Sequence, residues 1–455
     1  VIKIPTQRKQ QRQGVYFLSL GVQNMRCFGP EQTLNLTTSD SKPAMWTIIL
    51  ANNASGKTTL LQALWGASLE VASIPDARNE SKNSRASPEW TQRGFFEAEL
   101  SGFVRKPHNS SKLSAQYCLM NWLKSQDISW TAELEVFHSH RLSDGWGVVG
   151  NTITAPIPNF SPIYAYGASR VGYKTQSQRY TGFPTLFSET EVLIDAESWI
   201  TNLDHNYLRG DPTAKNRLEM AKNLLIAVLP DVIDVRISSP RNSRESPILE
   251  FETSFGWMSL DRLSLGYRSM ISWMVDFMAH MVDAYPDSED PLAEPAICLI
   301  DEIDLHLHPK WQREIVDYLS ERFPRTQFIV TAHSPLVVQS ATQANIVLLR
   351  QPEGKDWVEI INDPPDVRNW RLDQILTSDL FGLPSARPKE LDEPLAERDQ
   401  ILKKKAITKK DRDRLVELDA IIEKTPGGET IADSESMALI REAAQYITKN
   451  KPAAE

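Results

Sequence analysis

The chain has 455 residues, enough for two or three domains' worth of core, and 41% of them are hydrophobic, which excludes a disordered polymer. Its formal net charge is −9, so it does not bind nucleic acid over its whole surface, and any such contact must be a local basic patch. No apolar run approaches the roughly 20 residues that span a bilayer, the N-terminal stretch lacks the apolar core of a signal peptide, and Cys27, Cys118 and Cys298 are too scattered for a disulfide framework or a cysteine-rich zinc site. Together these predict a cytoplasmic protein with no membrane partner.

Val15–Leu20 and Leu34–Leu36 read as two strands about a turn at Gly29-Pro30. The apolar run Trp46-Thr47-Ile48-Ile49-Leu50 reads as a strand, and Thr59-Leu60-Leu61-Gln62-Ala63-Leu64-Trp65 opens an amphipathic helix that runs from Lys57 to about Ser73. The polar stretch Asp76–Ser87 reads as a loop. Residues 94–104, with Gly94–Leu100, and 130–138, with Trp130–Val136, look like strands of an antiparallel sheet, and Ile163–Tyr166 like another strand. Between about 190 and 230 the chain is predicted helical, with Trp199, Ile200, Leu203 and Leu208, then Leu218, Ala221, Leu224, Leu225 and Val228, at helical spacing. Strands follow at Val232–Ile237 and Ile248–Phe251, a helix at 265–283, a buried strand at Ala296–Ile300, a helix at 309–322, and a last strand at Gln327–Val330.

From about Pro384 the composition changes. Residues 386–424 are dense in charge, with Leu391, Leu395, Ile401, Leu402, Leu415, Leu418, Ile421 and Ile422 among them. Two short amphipathic helices broken near Ala406-Ile407-Thr408 fit best: a hairpin that packs on, or docks to, something else. Its lysines Lys403, Lys404, Lys405, Lys409 and Lys410 could instead touch nucleic-acid phosphates.

Between the strand at 46–50 and its helix lies Ala51-Asn52-Asn53-Ala54-Ser55-Gly56-Lys57-Thr58. The spacing resembles the phosphate-binding pattern G-x-x-x-x-G-K-[ST], in which backbone N–H groups at a helix N-terminus wrap phosphates. Asn53, Ser55, Gly56, Lys57, Thr58 and Thr59 are the candidate nucleotide contacts. Lys57 would reach the outer phosphates, and the Thr58 hydroxyl would ligate Mg²⁺. Two glycine positions of the pattern hold Ala51 and Ala54, which alanine can occupy only where φ is negative or the backbone tolerates a methyl group. Taken by itself, the loop could also be an ordinary strand-to-helix turn.

Three further signals lie further along the chain. Ala296–Ile300 ends in Asp301-Glu302, and the carboxyl end of a buried parallel strand would set Asp301 beside the loop to hold Mg²⁺ and Glu302 to orient water. Leu263-Ser264-Leu265-Gly266 opens the helix at 265, presenting a hydroxyl and free N–H groups to an anion. Phe328-Ile329-Val330-Thr331-Ala332-His333-Ser334-Pro335 puts His333 just past a strand, close enough to sense a γ-phosphate.

Their order along the chain, phosphate loop, L-S-x-G, apolar strand plus D-E, then strand plus histidine, resembles the ATP-binding-cassette (ABC) ATPases over roughly residues 15–350. Val22-Gln23-Asn24-Met25-Arg26-Cys27-Phe28-Gly29 and Asp301-Glu302-Ile303-Asp304-Leu305-His306-Leu307-His308-Pro309 are similar to motifs of the branch related to RecF, SMC proteins and OLD nucleases. Tyr166-Gly167-Ala168-Ser169-Arg170 looks like a motif of AAA-type ATPases of bacterial anti-phage defence, Septu-type ATPases included. The resemblance implies an α/β fold: a P-loop head with a parallel core sheet, an antiparallel β subdomain and a helical lobe, over residues 1–383, with an insertion at about 75–260. Residues 384–455 would be a charged helical, partner-docking region. It implies ATP and Mg²⁺ as ligands, Glu302 and His333 as catalytic residues, Thr58 and Asp301 at the metal, and a composite site. Ser264 and Gly266 of one copy would meet the γ-phosphate held by Lys57 of another, so ATP would join copies into a dimer or larger homo-oligomer.

The sequence departs from that pattern at Ala51, at Leu265 inside the signature, and in lacking a clear Q-loop glutamine. These departures bear on turnover more than on binding. The interval from Lys57 to Leu263 is too short for SMC-like coiled-coil arms. Asp411-Arg412-Asp413 lies in a charged helix rather than after an apolar strand, so it reads as a solvated face and not as an OLD-type nuclease centre. His306 and His308 match no zinc spacing. The leading expectation is therefore a defence ATPase controlling a separate effector, a nuclease, with DNA contact through a local basic patch. A nucleotide-stabilised scaffold with little turnover and the ATPase subunit of a membrane transporter are the alternatives.

Overall fold

The computed structural model describes residues 14–52, 54–72, 110–120, 128–138, 146–149, 161–170, 184–188, 191–229, 231–238, 247–367, 370–383, 386–404 and 408–422. The expected loop at 76–87 and strand at 94–100 lie outside these.

β1 (Gly14–Gln23) and β2 (Gln32–Asn35) pair antiparallel, Leu20 opposite Leu34. β3 (Trp46–Ala51) leads into α1 (Lys57–Ala72). β4 (Ser110–Met120), β5 (Ile128–His138) and β6 (Trp146–Val149) join the first two strands in an antiparallel sheet of order β2-β1-β4-β5-β6. After β7 (Ile163–Tyr166) come α2 (Ala196–Leu208) and α3 (Pro212–Val228), then a three-stranded antiparallel sheet of β8 (Val232–Ser238), β9 (Ile248–Thr253) and β10 (Gly256–Ser259). The chain continues through α4 (Leu265–Ala284), β11 (Ala296–Ile300), α5 (Pro309–Gln312), α6 (Ile315–Arg322), β12 (Thr326–Ala332), α7 (Pro335–Ser340), β13 (Asn345–Arg350) and β14 (Glu359–Ile361).

The core sheet has the order β14-β13-β3-β12-β11-β7, and every neighbour pair is parallel except β13–β14. The architecture is the expected one: an α/β head with a parallel core sheet, antiparallel sheets and a helical lobe. Parallel strands are buried on both faces, which is why β11 is apolar without alternation and both β11 and β12 are fully buried. Trp46 stacks on Phe328 at 4.5 Å between ring centroids, locking two neighbouring strands. The buried Gln327 side chain joins this sheet to the antiparallel one. It accepts from the Phe17 N–H and donates to the Phe17 carbonyl, both at 2.9 Å, as a backbone unit would.

Two expectations are corrected. The strand at 326–332 is not the last. β13 and β14 follow, and β13 pairs with β3, because Ile346–Leu349 is a further apolar run that the sheet can bury. The helix expected at 309–322 is broken into α5 and α6 by a turn at Arg313 and Glu314. Leu208, expected helical, closes α2 and is 76% exposed there. No helix among the described residues is long and apolar enough to cross a membrane.

The chain divides into two compact units, Val1–Leu372 and Asp373–Glu455, so the compositional boundary at 383/384 falls inside the second. That unit holds the helical hairpin, α8 (Asp392–Leu402) and α9 (Lys409–Ile422). Its two helices are tied by Arg398–Asp419 at 2.7 Å and Arg414–Glu397 at 2.8 Å, around buried Leu391, Ile401 and Leu418.

Candidate functional site

Because the core strands are parallel, their carboxyl ends emerge along one edge. Ile300 is level with both Tyr166 and Val330, and Ala332 with Leu50. That register gathers the loop after β3, the Tyr166–Arg170 segment, Asp301-Glu302 and His333, which are far apart in the chain.

Ala51 is still extended strand, so its side chain is accommodated without strain. Ala54 is not: its φ is +61°, the left-handed region that is unfavourable for a residue with a Cβ. Gly56 has φ +85°, and a Cβ there would lie 2.3 Å from Cys27 Sγ and 2.9 Å from Phe28 Cζ. Only glycine lets the loop pass under that segment. Lys57 is 7% exposed, and its Nζ donates to the carbonyls of Ala51 at 3.1 Å and Asn52 at 3.3 Å. Burial lowers the pKa of this amine, and Asp301, Glu302 and Asp304 pull it back up. A cavity of about 440 Å³ opens beside it, lined by Ser55, Gly56, Lys57, Thr58, Thr59 and Glu302 among others. Asn53 lies outside the described residues. Thr59 is held from behind, its Oγ1 accepting from Arg26 Nη1 at 3.3 Å, while the same nitrogen donates to Gln62 Oε1 at 2.7 Å.

Thr58 donates its hydroxyl to Asp301 Oδ2 at 2.6 Å, and Thr331 donates to the other oxygen, Oδ1, at 2.6 Å. The Thr58 hydroxyl and the Asp301 carboxylate are hard oxygen donors of the kind Mg²⁺ takes, and an open cavity beside an amine suits a polyphosphate. The residues present fit both. Glu302 is one-third exposed at the cavity wall, and His333 Nε2 stands 3.8 Å from its Oε1. The His333 N–H is fixed by Asp304 Oδ2 at 3.0 Å, and Ser334 by Gln312 Oε1 at 2.7 Å.

Ser264 caps α4, its Oγ accepting from Tyr267 N–H at 3.5 Å. A Cβ on Gly266 would lie 2.3 Å from the His306 carbonyl oxygen, so the start of α4 rests directly on the turn after Asp301-Glu302. Yet Ser264 and Gly266 do not line the Lys57 cavity. They line a separate hollow of about 70 Å³ with Tyr267, Met270, His306 and Trp311. The two histidines have structural places. His306 takes a left-handed φ of +63° in the turn, and His308 caps α5, its Nδ1 accepting from Lys310 N–H at 3.3 Å. Among the described residues no group of three or more His, Cys, Asp or Glu is arranged to hold a metal.

Sequence reasoning missed the parts played by Thr331, Asp304, Gln312 and Arg170. Thr331, Asp304 and Arg170 lie inside recognisable motifs, but nothing in their spacing tells which backbone groups they meet. In the hairpin, Lys404 is bound to Asp411 at 2.6 Å, Lys403, Lys409 and Lys410 are exposed, and Lys405 lies outside the described residues.

Residues 231–339 match a family profile described as "AAA domain, putative AbiEii toxin, Type IV TA system". The retron Vc95 probable ATPase of Vibrio cholerae serotype O1 biovar El Tor is 44% identical over 371 residues, covering 70% of this chain and 71% of that protein. The Septu protein PtuA of Bacillus mycoides (strain KBAB4) is 25% identical over 357 residues, 78% of this chain, which spans only 43% of that relative's length. Among solved structures, an SMC head bound to the C-winged-helix domain of ScpA aligns over 76% of this chain and 97% of its own, at 13% identity and a TM-score of 0.43.

Proposed function

As a member of the family that includes the retron Vc95 probable ATPase, this chain is, we propose, an ABC-type ATPase of anti-phage defence that assembles through ATP and controls a separate effector. ATP occupies the cavity at Lys57, whose charge meets the outer phosphates. Asn53, Ser55, Gly56 and Thr59 complete the cradle, and Thr58 and Asp301 hold Mg²⁺, which supplies charge neutralisation to the phosphates. Glu302 orients and polarises water as the general base, and His333 senses the γ-phosphate from beside it.

The observation that carries this reading is the 2.6 Å bond from Thr58 to Asp301 at the wall of a cavity that Glu302 also lines. The composite site is supported by the placement of Ser264 and Gly266 on a hollow of their own, away from Lys57. A second copy facing the cavity would bring them to the γ-phosphate. ATP then favours the joined state by contacts that only it makes. The hairpin of residues 392–422 is the docking element for the effector, a nuclease in this reading, and Leu402, Val416 and Ile421 are exposed on it. Any DNA contact is confined to a local patch such as Lys403, Lys409 and Lys410.

The test compares ATP turnover and assembly state of the native chain with Glu302→Gln. Loss of the base is expected to lower turnover by roughly 100-fold or more, while ATP-dependent oligomers persist. Equal turnover in both removes Glu302 from its role. A native chain that assembles on ATP without hydrolysing it would establish the scaffold alternative instead.

A further inference from the structure

Arg170 is only 1% exposed, yet among the described residues it makes no hydrogen bond to a carboxylate. Its Nη1 donates to the carbonyls of Gly167, at 3.1 Å, and of Asp301, and its Nη2 donates to the carbonyl of Glu302 at 2.8 Å. Its Nε has no acceptor among the described residues. Burial lowers the pKa of the guanidinium to about 10, against the upward pull of Asp301, Asp304 and Glu302, so it remains charged at neutral pH. Burying a charge on backbone carbonyls alone is expensive compared with filling the same space with an apolar side chain. What such an arrangement gains is position.

The carbonyls of Asp301 and Glu302 belong to the two peptides that flank the Glu302 Cα. Glu302 has φ +51°, a left-handed conformation unfavourable for a residue with a Cβ. Thr331 grips the same turn from the other side. Its Oγ1 accepts from the Glu302 N–H at 2.7 Å, and its carbonyl accepts from the Ile303 N–H at 2.9 Å. Four backbone groups around one residue are therefore tied down, and strain of this kind persists only where the surroundings over-determine it. Both grips come from neighbouring strands of the parallel sheet. Thr331 lies on β12, and Arg170 follows β7, whose Tyr166 carbonyl also accepts from the Asp301 N–H at 2.8 Å.

We infer that Arg170 and Thr331 are positioning residues for Glu302: they hold its backbone in the left-handed turn that sets the carboxylate at the nucleotide cavity, and neither touches the nucleotide. The inference rests on the ATPase reading above.

The test uses the full chain carrying Arg170→Lys, Thr331→Val or Thr331→Ser, each alone and combined with Glu302→Gln. Turnover, KM, affinity for a fluorescent ATP analogue and thermal melting are measured. Arg170→Lys and Thr331→Val are expected to lower kcat roughly 100-fold with affinity for metal-free nucleotide within roughly threefold, since a misplaced catalytic group costs rate rather than binding; affinity is read without Mg²⁺ because Thr331 also donates to Asp301 Oδ1. Thr331→Ser, which keeps the hydroxyl, recovers most of the rate. In the Glu302→Gln background neither Arg170→Lys nor Thr331→Ser lowers turnover further, because the group they position is already gone. Losses from either that multiply in that background, or losses that appear in metal-free affinity rather than kcat, overturn the inference. If Arg170→Lys does not fold, the Thr331 pair decides it, and a Thr331→Val chain with native kcat overturns it. A native chain without turnover would instead defeat the ATPase reading. Native turnover that Glu302→Gln abolishes and Arg170→Lys leaves intact defeats only the positioning role.

Discussion

The Thr58 hydroxyl donates to Asp301 Oδ2 at 2.6 Å across 243 residues of chain. One residue opens the helix after β3, and the other ends β11, two strands away in the sheet. Between them runs β12, whose Thr331 donates to the second Asp301 oxygen at 2.6 Å. The carboxylate is thus oriented from both sides before any ligand arrives.

Thr58→Ala and Asp301→Ala should each weaken Mg·ATP binding while leaving metal-free nucleotide binding nearly unchanged. Losing one contact to a charged oxygen costs about 1.5–3 kcal/mol, roughly ten- to hundredfold in affinity. Calorimetric titrations with and without Mg²⁺ check it. Equal losses in both conditions would mean that the pair serves the fold, not the metal.

The phosphate loop makes a paired prediction. Gly56→Ala puts a methyl group 2.3 Å from Cys27 Sγ at φ +85°, so stability and nucleotide affinity both fall, and Cys27→Ala restores part of the loss. Ala54→Gly acts in the opposite direction. Relieving a left-handed alanine at φ +61° should raise stability by up to about 1 kcal/mol. Denaturant melts read both changes, and an Ala54→Gly chain less stable than the native one would refute the strain argument.

Composite assembly predicts complementation. Ser264→Arg should bind ATP normally but fail to assemble, and Lys57→Ala should neither bind nor assemble. Mixed, the two variants can form a dimer with one intact junction: the Ser264→Arg copy supplies Lys57, and the Lys57→Ala copy supplies Ser264. Light scattering with ATP measures it. Full assembly by Ser264→Arg alone would show that Ser264 is not at the junction.

Asp276, 3% exposed on α4, accepts from the Ile194 N–H at 2.8 Å and the Tyr166 hydroxyl at 2.9 Å, with His280 Nε2 at 3.5 Å. Burial raises its pKa above the ordinary 3.8, against the downward pull of His280, the Ile194 amide and Tyr166. A carboxyl with a raised folded-state pKa contributes stability that is present below the unfolded value and lost as pH rises through the folded one. Asp276→Asn cannot titrate. Its stability relative to the native chain should therefore improve between pH 3.8 and neutrality, followed by urea melts at several pH values. A pH-independent difference would show that the fold does not perturb this carboxyl.

Much of the head was legible because its signals are short-range. The strand at 296–300, the cap at Ser264 and the glycine-lysine-threonine run at 56–58 each follow from local patterning, and the structure has them at those positions. The break at Arg313 and Glu314 was not legible, because a helix-compatible sequence gives no sign that Gln312 must turn back to donate to the Leu307 carbonyl at 3.0 Å. Strand β13 was passed over although Ile346–Leu349 is apolar, since a four-residue run does not reveal which sheet has room for it.

By itself the sequence determined which chemical groups are available: an amine at 57, hydroxyls at 58 and 264, carboxylates at 301 and 302, an imidazole at 333. It also determined their order along the chain, because phosphate loops, strand ends and helix caps are written in neighbouring residues. Only the tertiary structure decided which of these groups meet. Parallel register brings Thr58 to Asp301, closes Arg170 and Thr331 on the Glu302 turn, and leaves Ser264 and Gly266 on a hollow of their own. Such contacts depend on how strands hundreds of residues apart align, and no local pattern carries that alignment.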